Sequence, residues 1–75
     1  MAGVRPIHYR EFEKFLLHVG CVFIRQKGDH MIYKKLGARR PLVVCRRELS
    51  LIEIMSNLRT LRIATKTYLE IIENL

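Results

Sequence analysis

The hydrophobic periodicity of this chain changes at Gly20. Before it, four apolar residues at i, i+3, i+4 and i+7 predict one face of an amphipathic helix over Tyr9–Val19, and they are Phe12, Phe15, Leu16 and Val19. After it, "CVFIRQ" is rich in β-branched and aromatic residues, which favours a strand. Gly20 can adopt the left-handed conformation that ends a helix without a Cβ penalty. A helix therefore leads directly into a strand.

Two further strands are predicted after the first. "HMIYKKL" follows the connection Lys27-Gly28-Asp29, so the first two strands form a hairpin. A second turn at Leu36-Gly37-Ala38-Arg39 leads into "RPLVVCR", whose Pro41 is tolerated at the start or edge of a strand. The three segments together predict a three-stranded antiparallel meander.

Two helices are predicted after the strands. Ser50 and Glu53 have the spacing of a capping box, so a second helix begins there, with an apolar stripe of Leu51, Ile54, Leu58 and Leu61. Thr65 is predicted to be the N-cap of a short terminal helix with Tyr68, Leu69, Ile72 and Leu75 on one side. The expected fold is α+β with the order α-β-β-β-α and an extra short C-terminal helix, the topology of double-stranded-RNA-binding domains.

Size and charge bound the function. The chain has 75 residues, with 14 Lys and Arg against 7 Asp and Glu and a formal net charge of +7, which suits a single domain over residues 1–75 with an anionic partner. A chain this short buries only about 60% of its unfolded surface, so association with a partner or with a second copy of itself would add stability. A homo-oligomer is therefore among the expectations.

Apolar segments and cysteines indicate the environment. Runs such as "CVFI" and "PLVVC" are far shorter than the roughly 20 residues of a membrane span, so a soluble cytoplasmic protein without membrane contact is expected. Cys21 and Cys45 lie in apolar runs, which favours buried thiols over a bridge between strands. A zinc site of His18 with these cysteines lacks the C-x-x-C or H-x₃₋₅-H spacing, so neither a metal nor another cofactor is expected.

The segment "RQKGDHMIYKK" contains the candidate for catalysis, His30. It follows a glycine-containing turn, where a polymer can approach, and histidine can exchange protons at neutral pH. One well-placed acid–base group contributes about 10² to 10⁴ in rate. Arg25, Lys27 and Lys34 could hold a phosphate nearby, whereas Asp29 adds opposite charge. A lone histidine at a strand start is more often structural or simply exposed, so the residue pattern alone leaves both interpretations open.

Basic residues cluster around the second and third strands, which favours a surface for RNA, with ordinary solvated charge as the alternative. The residues predicted to bind RNA are Arg25, Lys27, Gly28, Lys34, Lys35, Arg39, Arg40, Arg46 and Arg47. No GxGxxG, P-loop, HExxH or GxSxG segment is present, so the sequence lacks the common nucleotide-binding and hydrolase signatures.

A family resemblance rests on two long segments. "YREFEKFLLHVGCVFIRQKGDHMIYKK" resembles the N-terminal half of the HicA (YcfA-like) family of mRNA interferase toxins, in which a helix, a glycine, a strand and R-x-x-G-S-H precede an apolar-aromatic strand. "REL" followed by "LIEIMSNLRTLRI" is similar to the family's K-E-L segment and second helix. The resemblance extends from about Tyr9 to Leu75.

The resemblance implies a double-stranded-RNA-binding-like fold that cleaves single-stranded messenger RNA without a metal, with His30 as the catalytic histidine. It also implies inhibition by a HicB-like acidic antitoxin. The chain departs from the family pattern in two places: Asp29 stands where Ser is usual, and the third strand has no histidine, so Arg46 or Arg47 must substitute or activity is reduced. A non-catalytic RNA-binding module and a domain that docks an acidic protein are the competing hypotheses.

Overall fold

The predicted helices and strands occur in the expected order, and two further short strands accompany them. A computed structural model describes residues 3–75. The elements are β1 (Ile7–His8), α1 (Tyr9–His18), β2 (Cys21–Lys27), β3 (His30–Lys35), β4 (Leu42–Cys45), β5 (Glu48–Leu49), α2 (Leu51–Leu61) and α3 (Thr65–Glu73). The predicted α+β class with the α-β-β-β-α layout and a further C-terminal helix is confirmed.

Helix α1 is bounded by a side-chain cap at its start and a glycine just after its end. His8 is its N-cap, and its Nδ1 atom accepts a hydrogen bond of 3.3 Å from the backbone N–H of Arg10. Gly20 has φ +95°, so the left-handed conformation predicted at the end of the helix is confirmed. The predicted apolar face points into the core, where Phe12, Phe15 and Leu16 are fully buried.

Strands β2, β3 and β4 form the predicted antiparallel meander in the order β2-β3-β4. In β3 and β4, Tyr33 is opposite Leu42 and both are buried in the core, whereas Ile32 is opposite Val43 on the other side. We call the side that carries Ile32 and Val43 the outer face. The Tyr33 hydroxyl donates a hydrogen bond to Glu13, which connects the core side of the sheet to α1.

Both cysteines are free thiols, so the alternative of a bridge between strands is not realised. Cys21 is buried and its pKa is raised by that burial. Cys45 is only partly buried, because it ends β4 opposite His30 at the rim of the sheet.

A second, two-stranded sheet was not predicted. Strand β1 pairs antiparallel with β5, with Ile7 opposite Leu49 and His8 opposite Glu48. The backbone N–H of Tyr9 extends this pairing by donating to the carbonyl of Arg47 at 3.0 Å. Leu49 is fully buried beneath it. This small sheet joins the start of α1 to the start of α2.

Helix α2 has the predicted capping box. The Ser50 side chain accepts from the Glu53 backbone N–H, and the Glu53 carboxylate accepts from the Ser50 N–H, each at 3.2 Å. The predicted stripe is wrong at Leu51, which is 45% exposed, because this first helical residue lies beyond the edge of the core. The rest of the stripe, with Ile54 and Leu58 among its residues, is buried.

Helix α3 completes the core. The prediction of Thr65 as N-cap is wrong, because Ala64 occupies that position and Thr65 is already helical, with its Oγ1 atom 3.9 Å from the Met55 sulfur. Tyr68 is buried against Phe12 and Phe15, with its ring edge-on to that of Phe15 at 4.8 Å. Burial raises the pKa of Tyr68 to about 12. None of the helices in residues 3–75 has the length and apolar character needed to cross a membrane.

Candidate active site

A two-residue turn presents His30 at the end of the sheet. Lys27 and His30 are paired across the β2–β3 hairpin, and Gly28 and Asp29 form the turn between them. Gly28 has φ +60° and Asp29 does not have a positive φ, the pattern of a type II′ turn. The Gln26 side-chain amide donates to the Gly28 carbonyl at 2.8 Å, which stabilises this conformation.

The third strand holds the same turn from the other side. The backbone N–H of Arg46, just after β4, donates to the Asp29 carbonyl at 2.8 Å. His30 is also opposite Cys45 in the β3–β4 register. Neighbours on both sides therefore define the backbone position of His30.

Asp29 lies beside the imidazole that it precedes. The Asp29 Oδ1 atom is 3.2 Å from the His30 Nδ1 atom, and the two side chains are 74% and 54% exposed. An ion pair this exposed adds little to stability. A carboxylate that accepts from Nδ1–H instead favours the tautomer whose Nε2 atom is free to take up a proton. The sequence identified both residues but not this contact.

His30 shares a shallow, open depression of about 440 Å³ with cationic and apolar side chains. Arg25 and Lys27 reach it from β2, and Ile32 and Val43 of the outer face line it as well. Two cations beside an imidazole create a positive field that attracts a phosphate and stabilises negative charge developing on it. The arrangement brings together four of the predicted residues, Arg25, Lys27, Gly28 and His30, and Asp29 lines the depression beside them.

The other predicted basic residues lie elsewhere. Lys34 is exposed and is opposite Val22, farther along β3 from His30. Lys35, Arg39 and Arg40 line a second depression at the far end of β3. Five residue steps separate His30 from Lys35 in the chain, which is about 16 Å along an extended strand. The basic surface predicted from the sequence is therefore divided into two parts.

Arg47 forms an ion pair with a glutamate of the same chain, Glu53. Its Nη1 and Nη2 atoms donate to the two carboxylate oxygens of Glu53 at 2.8 and 3.1 Å, and Nη1 also contacts the Glu48 carbonyl at 2.9 Å. The hydrogen bond to Arg47 is the main reason that the pKa of Glu53 lies below its ordinary value. Arg47 thus supports the start of α2 and does not line the depression around His30.

Arg46 is turned toward α1. Its Nε atom donates to the Tyr9 hydroxyl at 3.5 Å, and its guanidinium carbon is 5.9 Å from the centre of the Tyr9 ring. Arg10 approaches the same hydroxyl with its Nε atom at 3.3 Å. Both hydrogen bonds lower the pKa of Tyr9, and the bond from Arg10 has the larger effect. No sequence signal linked Tyr9 to Arg46, because 37 positions separate them.

Metal ligands are not grouped in the described part of the chain. Within residues 3–75, no three or more His, Cys, Asp and Glu side chains are placed so that they could hold one metal ion.

Comparison with known proteins identifies the family. A family model described as "HicA toxin of bacterial toxin-antitoxin" matches residues 9–60, a range that includes α1, the meander, His30 and most of α2. No curated protein and no solved structure was found to match the chain. The match covers more than half of the 75 residues, so the chain belongs to the HicA toxin family of bacterial toxin–antitoxin systems.

Proposed function

We propose that this toxin is an endoribonuclease that cleaves single-stranded messenger RNA without a metal, with His30 as the residue that transfers the proton. The observation that supports the proposal most directly is the depression in which an exposed imidazole lies beside Arg25 and Lys27. Membership of a toxin family agrees with an activity that arrests the cell. Because the depression is shallow and open, an unstructured RNA strand can approach it.

In the proposed reaction His30 acts as a general base. Its Nε2 atom removes the proton from a ribose 2′-hydroxyl, and the oxygen attacks the adjacent phosphorus. The new O2′–P bond forms as the P–O5′ bond breaks, which leaves a cyclic phosphate on one fragment. The departing 5′-oxygen takes a proton from water, since the site is open to solvent. Arg25 and Lys27 stabilise the extra charge on the phosphorane-like transition state.

Substitution of His30 tests this proposal. Purified protein is incubated with a long unstructured RNA in EDTA, and His30→Ala is compared with His18→Ala, which removes an exposed histidine at the end of α1. We expect His30→Ala to lower cleavage by about 10² to 10⁴, the contribution of one acid–base group, and His18→Ala to cleave normally. Equal cleavage by His30→Ala and the unaltered protein would contradict the proposal.

Expression in a bacterial host gives an independent measurement. We expect the unaltered chain, expressed alone, to arrest growth and His30→Ala to have no effect at the same protein level. Growth arrest by both proteins would show that toxicity does not depend on His30.

A non-catalytic RNA-binding module is the second candidate. The Asp29 carboxylate beside His30 favours it, because it brings negative charge to the place where a phosphate would lie. Such a module would bind RNA with an affinity that falls steeply with salt, and it would leave the strand intact.

The partner that we propose is a HicB-like acidic antitoxin that covers His30. The family supports an antitoxin partner, and the basic residues around the imidazole suit an acidic surface. An acidic protein encoded beside this chain should co-purify with it and protect His30 from diethylpyrocarbonate. A stable complex in which His30 is modified at the rate of the free toxin would contradict inhibition by coverage.

A further inference from the structure

The second depression of the surface lies at the far end of β3 from His30 and has a volume of about 560 Å³. Five of the residues that line it are cationic, namely Lys35, Arg39, Arg40, Arg59 and Arg62. We call this depression the arginine groove. No Asp or Glu is among its lining residues. Arg59 and Arg62 come from the end of α2, and the other three cations come from the end of β3 and the β3–β4 connection.

None of these five cations takes part in an ion pair within residues 3–75. Elsewhere in the same molecule carboxylates do meet cations: Arg47 pairs with Glu53 at 2.8 Å, and Lys14 pairs with Glu11 at 3.6 Å. Like charges that face one concave surface repel each other, and their field stays uncompensated until an anion enters. The groove therefore has the electrostatics of an anion site.

Arg62 adds a conformational observation. It is the C-cap of α2 with φ 58° and ψ 39°, and it is the only non-glycine residue within 3–75 that has a positive φ. Glycine is usual in this left-handed conformation, because any Cβ raises its energy. The chain instead carries a guanidinium there, at the edge of the groove. A residue kept in an unfavourable conformation suggests a role for its side chain.

Helix stabilisation explains only part of this cluster. Cations near the end of a helix interact favourably with its dipole, which would account for Arg59 and Arg62. It would not account for Lys35, Arg39 and Arg40, which belong to a different segment and face the same space.

We propose that the arginine groove binds the phosphate backbone of the RNA, as a second contact separate from the site of cleavage. This inference rests on the proposed function for the identity of the ligand. A guanidinium matches the geometry of a phosphate with two parallel hydrogen bonds. Lys34, the exposed neighbour of Lys35 on β3, lines neither depression. An RNA strand that also contacts the groove binds the protein more tightly, and the chemistry at His30 does not change.

Binding is measured in the His30→Ala background, so that cleavage does not interfere. The groove variant combines Arg59→Ala with Arg62→Gly, and the control combines Arg5→Ala with Lys14→Ala, which removes the same charge outside both depressions. The probe is a fluorescent single-stranded RNA longer than about 16 nucleotides, followed by anisotropy. We expect about tenfold weaker binding for the groove variant than for the control. The slope of log K against log salt should fall by about 1.4, for two lost phosphate contacts. Equal affinity of the two variants would overturn the inference.

The single substitution Arg62→Gly separates binding from folding. Glycine relieves the left-handed conformation, so the melting temperature should stay the same or rise while RNA binding weakens. Unchanged RNA affinity in this variant would overturn the role of Arg62. Unchanged RNA affinity of the double groove variant together with lost binding to polyglutamate would overturn the inference in favour of an acidic protein as the ligand.

Cleavage kinetics show whether the arginine groove contributes to RNA binding or to the chemical step at His30. In the protein that retains His30, we expect the double variant to raise KM with little change in kcat. This result is expected because the groove would bind the RNA equally well in the ground state and in the transition state. A fall in kcat at constant KM would overturn the inference. If the unaltered protein cleaves no RNA but the groove variant still binds it more weakly, the proposed cleavage fails and the groove survives as an RNA site.

Discussion

The Nδ1 atom of His30 lies 3.2 Å from the Oδ1 atom of Asp29, across the turn that joins β2 to β3. The carboxylate occupies the position where the family resemblance leads one to expect serine. In this chain it can orient the imidazole, and it also brings negative charge to the place of the phosphate. These two effects act on different kinetic constants, so they can be separated.

Substitution of Asp29 by Asn should lower kcat by about tenfold, because an amide orients the imidazole less well and can favour the wrong tautomer. KM should stay the same or fall, since one negative charge beside the phosphate is removed. Steady-state cleavage of a defined RNA measures both constants. The control is Glu70→Gln, which removes an equal charge from the exposed surface of α3. An unchanged kcat in Asp29→Asn would show that Asp29 has no orienting role.

The turn that presents His30 depends on glycine. A Cβ at Gly28 would meet no atom within 4 Å, so the cost of Gly28→Ala comes only from its φ of +60°. We expect a loss of about 1 to 3 kcal/mol in the free energy of unfolding, measured with urea, and reduced cleavage because His30 is displaced. Gly3→Ala is the control, since Gly3 has open space and no positive φ. Equal stability of the two variants would contradict a strained turn.

The sequence predicted those parts of the fold whose signals are local. Helix α1 shows its periodicity within one segment, and the capping box of Ser50 and Glu53 is complete in four residues. The pairing of β1 with β5 could not be predicted in this way, because each strand has two residues and about 40 positions lie between them. A pairing this short leaves no alternation of polar and apolar residues.

The sequence predicted which residues surround His30, but it did not predict that the basic residues separate into two depressions. Arg25, Lys27 and His30 meet because the hairpin register follows from a short turn. Charge clustering alone could not show that Arg47 is held by Glu53, since that depends on side-chain geometry. The arginine groove was missed, because Arg59 and Arg62 approach the β3–β4 connection only in the folded protein.

The pair of Arg47 and Glu53 predicts how stability depends on pH. Its hydrogen bonds depress the pKa of Glu53 below the ordinary value of 4.5, so the folded state favours the ionised carboxylate. The resulting stability is present above about pH 4.5 and is lost as the pH falls through the lower pKa of the folded state.

Glu53→Gln should therefore reduce the free energy of unfolding by about 1 kcal/mol at pH 7, and the difference from the unaltered protein should shrink as the pH falls below 4.5. Glutamine can still complete the capping box, so the substitution isolates the charge. Urea unfolding at several pH values measures the difference. The control is Glu48→Gln, which changes an exposed glutamate whose side chain forms no ion pair within residues 3–75 and should leave the free energy of unfolding at pH 7 nearly unchanged. A constant difference between pH 7 and pH 3 would contradict the depressed pKa.

The outer face offers a test of where RNA lies. Val43 lines the depression with His30 and is 45% exposed, whereas Val22 is 56% exposed and lies outside that depression. Val43→Asp places a negative charge among Arg25, Lys27 and His30, where it should weaken RNA binding about fivefold, the effect of about 1 kcal/mol between charges near the surface. Val22→Asp introduces the same charge farther from His30 and should have a smaller effect. Anisotropy in the His30→Ala background measures both, and a larger loss for Val22→Asp would move the RNA path away from the imidazole.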